Sequence, residues 1–168
     1  MQLSQTLNDA FNTQIQLEYA SMYAYEQLAA SCHVQNYTGF AHWMRVQASE
    51  ERVHALKFTD FVLDRGGSVR LQGIAAPQSD LSTPLAVFEA SLAHEQIVSA
   101  AIEALYEKVT TEKDFASYPL LQWFMNEQIE EESSVNLVVH RLRMAEGNPA
   151  SLLMLDHELG TRVAGAVE

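Results

Sequence analysis

The sequence has few of the residues that interrupt or cross-link a chain. Its 168 residues include 7 Gly, 4 Pro and a single cysteine, Cys32. A lone cysteine excludes an intramolecular disulfide, so nothing in the chain requires an oxidising compartment. Scarce Gly and Pro favour long uninterrupted elements over many short strands and turns. The length fits one domain of ordinary size, so we predict a single all-α domain over residues 1–168.

Basic residues and long apolar runs are also lacking. The chain has 10 Lys and Arg against 22 Asp and Glu, a formal net charge of −12. This charge argues against a nucleic-acid partner held through its phosphates, and it favours cations as ligands. No apolar run approaches the ~18 residues of a membrane span, and the first residues do not resemble a signal peptide. We therefore predict a cytoplasmic protein without nucleic-acid or membrane partners.

Helix-breaking residues divide the chain into four long helices and a short fifth. Gly66 and the glycine after it end the second helix, whereas Thr83 and Asn148, each followed by proline, begin the third and the fifth. The predicted helices cover residues 4–33, 38–66, 84–112, 118–146 and 149–160.

The connector between the second and third helices decides the topology. A helix of ~28 residues is ~42 Å long, and ~17 extended residues reach ~56 Å. The connector, residues 68–82, can therefore cross the whole bundle. We predict a four-helix bundle with two antiparallel pairs, a long crossover between helices two and three, and a short fifth helix.

Each long helix carries a carboxylate near the middle of its apolar stripe. The four are Glu18, Glu51, Glu95 and Glu131, and His54 shares a helix face with Glu51 at a spacing of three. In an antiparallel hairpin, residues equidistant from the turn lie at one level. In each pair of helices, the sequence midpoint between the polar residues of the two helices falls at the link that joins them. The sequence therefore predicts that these five residues converge at one height of the bundle.

Two interpretations of these polar residues are open. Each glutamate can lie at the edge of an apolar face with its carboxylate reaching water, and His54 can be a hydrogen-bonded structural residue. Alternatively, two divalent cations neutralise the four carboxylates, because unpaired interior charges cost several kcal/mol each. Oxygen ligands with one nitrogen suit Fe(II) or Mn(II), with Zn(II) able to compete. The coincidence of five polar residues at one level favours the metal site.

The same positions form a motif with one element on each long helix. Its elements are Glu18, Glu51-Arg-Val-His54, Glu95 and Gln128-Ile-Glu-Glu131. With the long crossover and the fifth helix, this pattern resembles the bacterial non-haem ferritins of the ferritin-like di-iron family. The resemblance implies that Glu18, Glu51 and His54 hold one iron. It further implies that Glu51 bridges to a second iron, held by Glu95 and Glu131 with Gln128 nearby.

The resemblance also implies roles for residues around the two irons. Glu50, Glu127 and Glu130 would form a third, inward-facing iron site. Tyr25 and Trp123 would lie beside the centre and supply electrons during oxygen reduction. From the residues alone, the three glutamates fit a solvated acidic face as well, and Tyr25 fits a core residue whose hydroxyl is bonded to a ligand.

Three differences separate the chain from related families. Bacterioferritins and rubrerythrin-like proteins carry a second Glu-x-x-His on the fourth helix, where this chain has Gln128 and Glu131. A second metal without histidine fits iron as a substrate that moves on, rather than a permanent cofactor. Arg52 stands where bacterioferritins have a haem-binding methionine, so we expect no haem. The small DNA-protecting ferritins lack a fifth helix.

The resemblance implies a ferroxidase and iron-storage protein. Dioxygen or hydrogen peroxide would oxidise Fe(II) at the di-iron centre, and a homo-oligomeric cage, expected to have 24 subunits, would store the Fe(III) mineral. Neighbouring subunits would bury the apolar segment of the fifth helix, residues 152–155. Two alternatives remain: a di-metal oxidase or peroxidase with permanently bound metals, and a structural cage subunit with a slow centre. The remaining histidines, expected on the surface or at interfaces, are His33, His42, His94, His140 and His157.

Overall fold

The computed structural model describes residues 1–165, so residues 166–168 of the predicted domain lie outside it. Within that range the chain is all-α: four long helices form a bundle and a short fifth helix follows them. The helices are α1 (Gln5–Val34), α2 (Thr38–Asp64), α3 (Pro84–Glu112), α4 (Tyr118–Met144) and α5 (Pro149–Leu159). A single 3-10 turn, Phe115–Ser117, precedes α4.

Side-chain caps fix where three of the helices begin. Ser4, Thr83 and Asn148 each accept a hydrogen bond from a backbone N–H of the following first turn. The helices α2 and α4 end two residues earlier than the sequence predicts, because the glycines beyond them terminate the helices instead of extending them. Gly66 and Gly147 have φ of +68° and +75°, a left-handed conformation that costs glycine little.

The connector between α2 and α3 runs along α1. The side chains of Asn8 and Asn12 each donate a hydrogen bond to the backbone carbonyl of Ser68 near the start of α1. Near the end of α1, Gln35 donates to the carbonyl of Leu81. The connector therefore returns along nearly the whole length of α1, which makes α3 parallel to α2, as the predicted crossover requires.

The core consists of two apolar clusters, one towards each end of the bundle. The first, here called the Phe40 cluster, joins the end of α1 to the start of α2 and includes Phe88 of α3. The second, the Phe11 cluster, lies at the opposite end and contains the stacked rings of Phe58 and Phe124, 3.9 Å apart. On every long helix, buried polar positions fall between the residues of the two clusters. A polar layer therefore separates two apolar regions.

The helix α5 lies across the start of α2. A Cβ at Gly39 would come 1.7 Å from the carbonyl oxygen of Asp156, so only glycine permits this approach. The Asp156 carboxylate accepts a hydrogen bond from Phe40 N, which supplies the cap that α2 lacks. Elsewhere on α5, the side chain of Leu153 is 61% exposed. No helix in the described part of the chain is both long and apolar enough to cross a membrane.

Candidate metal centre

The polar layer consists of side chains that face one another across the bundle interior. All of them are at most 7% exposed. Its members are Gln14, Glu18, Gln47, Glu51, His54, Glu95, Gln128 and Glu131. The structure thus brings together the four carboxylates and the histidine that the sequence places at one level, and Gln128 with them.

The ligand atoms of this layer form overlapping groups. Glu18, Glu51 and His54 offer three atoms that lie within 4.8 Å of one another, and so do Glu51, Glu95 and Glu131. Glu51 belongs to both groups, which is the position of a bridging ligand. Its Oε2 lies 3.5 Å from His54 Nδ1. Each group could hold a metal ion, and the two groups have Glu51 in common.

Four buried atoms of the layer have no hydrogen-bond partner among residues 1–165. They are Glu18 Oε2, Glu51 Oε2, His54 Nε2 and Glu131 Oε2. A buried polar atom without a partner costs ~1–3 kcal/mol, and a charged one more, so such atoms need an explanation. All four are carboxylate oxygens or an imidazole nitrogen, which are atom types that can bind a metal ion. The donor set, hard oxygens with one imidazole nitrogen, fits Fe(II), and bound cations would satisfy all four atoms.

Glutamines hold the other oxygens of these carboxylates. Gln14 Nε2 donates to Glu18 Oε1 at 2.7 Å. Gln47 Nε2 donates to Glu51 Oε1 at 2.9 Å and to Glu131 Oε1 at 2.6 Å. Each contact leaves the second oxygen of its carboxylate available. No role is predicted for Gln14 or Gln47 from the sequence. Each lies in an apolar stripe four residues before a glutamate, however, and that spacing is a signal that identifies them.

Two aromatic side chains lie next to the layer. The hydroxyl of Tyr25 donates a short hydrogen bond to Glu95 Oε1 and lies 2.8 Å from Ser91 Oγ. The ring of Trp123 meets that of His54 edge-on, with centroids 5.6 Å apart. Both aromatic residues are therefore adjacent to the group of carboxylates, as the resemblance to bacterial non-haem ferritins implies.

Burial changes the protonation of the layer. Desolvation, reinforced by the charge of Glu51, raises the pKa of Glu95 to about 8 and raises the pKa values of Glu18 and Glu131 well above their ordinary range. Burial likewise raises the pKa of Tyr25, helped by the charge of Glu95. Without metal, these carboxylates therefore retain their protons to higher pH than carboxylates in water do. Divalent cations must displace those protons to bind.

The predicted third-site glutamates are arranged less regularly. Glu127 is half-buried and forms a third group with His54 and Glu131, again within 4.8 Å. Glu130 is exposed and belongs to none of these groups. Glu50 also stands outside them, and both of its oxygens accept hydrogen bonds from the chain that follows α5.

One histidine differs from the expectation of a surface or interface position. His94 is half-buried, its Nε2 lies 2.7 Å from Ser21 Oγ, and its ring meets that of Tyr25 edge-on. Burial lowers the pKa of His94. His94 directly precedes Glu95 on α3. The side chain of Glu95 belongs to the polar layer, whereas the ring of His94 lies against that of Tyr25. Apolar periodicity identifies only the residues of the stripe itself, and therefore missed this neighbour.

Comparisons with known proteins agree with this fold. The Ferritin-like domain family model matches residues 8–145. The Bacterial non-heme ferritin of Staphylococcus aureus strain MRSA252 is 36% identical over 160 residues, which are 95% of this chain and 96% of that protein. The Bacterial non-heme ferritin of Staphylococcus epidermidis is 37% identical over 160 residues, which are again 95% of this chain and 96% of that protein.

Solved structures give the same result. An Archaeoglobus fulgidus ferritin engineered into a closed form superposes with a TM-score of 0.95 at 42% identity, covering 97% of this chain and 99% of that one. The open-pore ferritin of the same archaeon gives a TM-score of 0.94 at 42% identity, covering 96% and 98%. The chain therefore belongs to the ferritin family.

Proposed function

We propose that this chain, as a single domain, is a ferroxidase and iron-storage protein. It oxidises Fe(II) at the polar layer and stores Fe(III) as a mineral inside a homo-oligomeric cage of 24 subunits in the cytoplasm. The observation that carries the proposal is the set of four buried ligand atoms without hydrogen-bond partners in the described range. Membership of the ferritin family supports iron storage and ferroxidase activity in general.

Charge and donor type explain why the layer favours oxidation. Glu18, Glu51 and His54 hold one Fe(II), and Glu51 bridges to a second held by Glu95 and Glu131. Two Fe(II) ions balance four carboxylates, and loss of one electron from each leaves two Fe(III) ions that hard anionic ligands bind more strongly. Dioxygen that accepts two electrons and two protons leaves as hydrogen peroxide, which can itself serve as an oxidant.

The glutamines and aromatic residues prepare the site for its substrate. Gln14 and Gln47 hold one oxygen of each carboxylate and thereby orient the other towards the metal. Gln128, which donates to Glu95 Oε2 at 3.3 Å, has the same role on the second iron. Tyr25 and Trp123 are close enough to the ligands to supply electrons.

Storage requires a route out of the layer and a closed shell. The group of His54, Glu127 and Glu131 shares two residues with the centre and extends it to a half-buried carboxylate. We propose that oxidised iron leaves in this direction, towards a third site formed by Glu127 with Glu50 and Glu130. The exposed Leu153 and Met154 of α5 support burial against neighbouring subunits.

Addition of Fe(II) without oxygen, followed by air, tests the function. Storage predicts uptake of far more iron than the layer can hold, in an assembly of about 24 subunits by size-exclusion mass. Uptake near two irons per chain would instead indicate an oxidase with permanently bound metals, and uptake without fast oxidation a structural cage subunit.

Variants test the residues. We expect His54→Ala and Glu51→Ala to slow Fe(II) oxidation by about 100-fold while assembly is retained, because each removes a ligand of the first iron. His140→Ala is the matched control, since His140 is exposed on α4. Oxidation at the unaltered rate in both layer variants would contradict the assignment.

A further inference from the structure

The chain that follows α5 folds back over the second helix and places Arg162 on it. Arg162 Nη2 donates to Gln47 Oε1 at 2.9 Å and to Glu50 Oε2 at 2.5 Å. Its guanidinium carbon lies 4.2 Å from the ring centroid of Trp43. His42 Nε2 lies 2.8 Å from the Arg162 carbonyl oxygen, so backbone and side chain are both fixed on α2. This segment, residues 160–165, is called the tail below.

The tail contacts both oxygens of the Glu50 carboxylate. Arg162 takes one oxygen, and Gly165 N donates to the other, Oε1, at 2.9 Å. The side chains of Arg162 and Glu50 are only 23% and 13% exposed, so this ion pair is less screened than a surface pair. The guanidinium group of an arginine side chain carries a positive charge. A guanidinium thus stands against Glu50 where a third divalent cation would bind.

The same guanidinium determines the orientation of Gln47. An amide has one oxygen, which accepts, and one NH2 group, which donates. Because Arg162 donates to Oε1, the Nε2 of Gln47 points to Glu51 and Glu131. The reversed amide would direct its oxygen at two carboxylates. One residue therefore connects the tail to the bridging ligand of the metal centre.

There is space beside Glu50 for a cation once the guanidinium leaves. Arg162, Glu50 and Glu130 line a cavity of about 380 Å³. Nη1 of Arg162 is buried and has no hydrogen-bond partner within residues 1–165, so the tail does not satisfy its own cation fully.

We propose that Arg162 is a positioning residue that competes with metal for Glu50 and fixes Gln47 against the two-metal centre. The proposal rests on the proposed function, because it concerns divalent cations at the same layer. Its consequence is sequential binding: two cations bind at the centre first, and a third binds more weakly because it must displace the tail. Loss of Arg162 converts the weak site into a tight one.

Anaerobic titration of the metal-free assembly with Co(II), followed by calorimetry and by the visible absorption of bound Co(II), measures this directly. We expect Arg162→Ala to bind the third Co(II) per chain about tenfold more tightly than the unaltered protein, because the competing charge is gone. Arg162→Ala combined with Glu50→Gln should lose that gain. Arg143→Ala, which removes an exposed arginine paired with Glu89, is the matched control and should behave like the unaltered protein. Equal third-site affinity with and without Arg162 would overturn the proposal.

A second measurement uses the unaltered chain, in case Arg162→Ala does not fold. In crystals soaked with saturating Co(II), we expect cobalt bound to Glu50 and the guanidinium moved away from it. Cobalt on Glu50 with Arg162 still in place, or an unmoved Arg162 and no third cobalt at saturation, would overturn the proposal.

The two proposals fail in different ways. If the unaltered protein binds no Co(II) between Glu18, Glu51 and His54, the proposed function fails, whereas the affinity at Glu50 still decides the role of Arg162. If the centre binds two Co(II) and the affinity for the third Co(II) is the same with and without Arg162, only the proposed role of Arg162 fails.

Discussion

The two apolar clusters and the polar layer between them are equally buried but built on opposite principles. Phe11 in one cluster is 0% exposed and its ring packs against Phe58 and Phe61. Glu18, two turns further along α1, is also 0% exposed, yet its Oε2 has no partner among the described residues. The clusters stabilise the fold by filling space, whereas the layer contains buried polar atoms without hydrogen-bond partners in the described range, at a cost in stability. Function and stability are therefore separated along each helix.

The largest expected effect comes from removing packing in a cluster. Phe11→Ala leaves a cavity among Phe58 and Phe61, and we expect the free energy of unfolding to fall by about 3–5 kcal/mol. Chemical denaturation of the metal-free protein measures it. Phe115→Ala is the control, since Phe115 is 67% exposed, and should have a small effect. Similar losses for both would contradict the assignment of the core.

The second prediction concerns pH and the layer. The folded-state pKa of Glu95, about 8, lies above the ordinary value of 4.5, so the folded chain retains a proton that the unfolded chain releases between these values. Burial shifts Glu18 and Glu131 in the same direction. The metal-free protein should therefore lose stability as pH rises from about 5 to 8. Urea unfolding at several pH values measures this.

A variant isolates the contribution of the layer to that slope. His94, whose pKa is lowered by burial, acts in the opposite direction, because the folded chain binds its proton less readily. Glu95→Gln removes one carboxylate whose pKa is raised. The free energy of unfolding of this variant should therefore fall less steeply above pH 5. Saturating Co(II) should flatten the fall as well, since the metal replaces the protons. A slope that neither treatment changes would show that the layer is not its source.

The smallest effect has the opposite sign to the first. Glu18→Gln replaces one buried carboxylate by a neutral side chain of the same shape, and we expect the metal-free protein at pH 8 to gain about 1 kcal/mol. Metal binding at the first position should weaken at the same time. Glu26→Gln, on the exposed face of α1, should change neither quantity. A loss of stability in Glu18→Gln would show that the layer carries no excess of unpaired charge.

Most of the fold could be predicted because its signals are local. The four-helix bundle, the crossover and the fifth helix are confirmed. Apolar periodicity and helix-ending glycines such as Gly66 depend on a few neighbouring residues. Glu18 and Glu51 lie at the same height in the first hairpin because they are about equally far along the chain from its turn. The resemblance to bacterial non-haem ferritins is likewise confirmed.

The surroundings of the layer were harder to predict. Periodicity cannot tell which member of an apolar stripe donates to which carboxylate, so the roles of Gln14 and Gln47 were missed. His94 lies outside its stripe and was expected at the surface. The assignment of ligands to individual irons, and the third site at Glu50, Glu127 and Glu130, remain predictions.

The sequence by itself determined the helices, the crossover and the height at which carboxylates meet, because each depends on spacing along one element or across one turn. Only the tertiary structure decided which atoms of that layer are satisfied and that Arg162 reaches Glu50. Those two residues are 112 positions apart, and their contact depends on how α5 packs against Gly39 and on where the tail then leads. Hydrogen-bond satisfaction in a core is a property of three-dimensional packing, which no local pattern encodes.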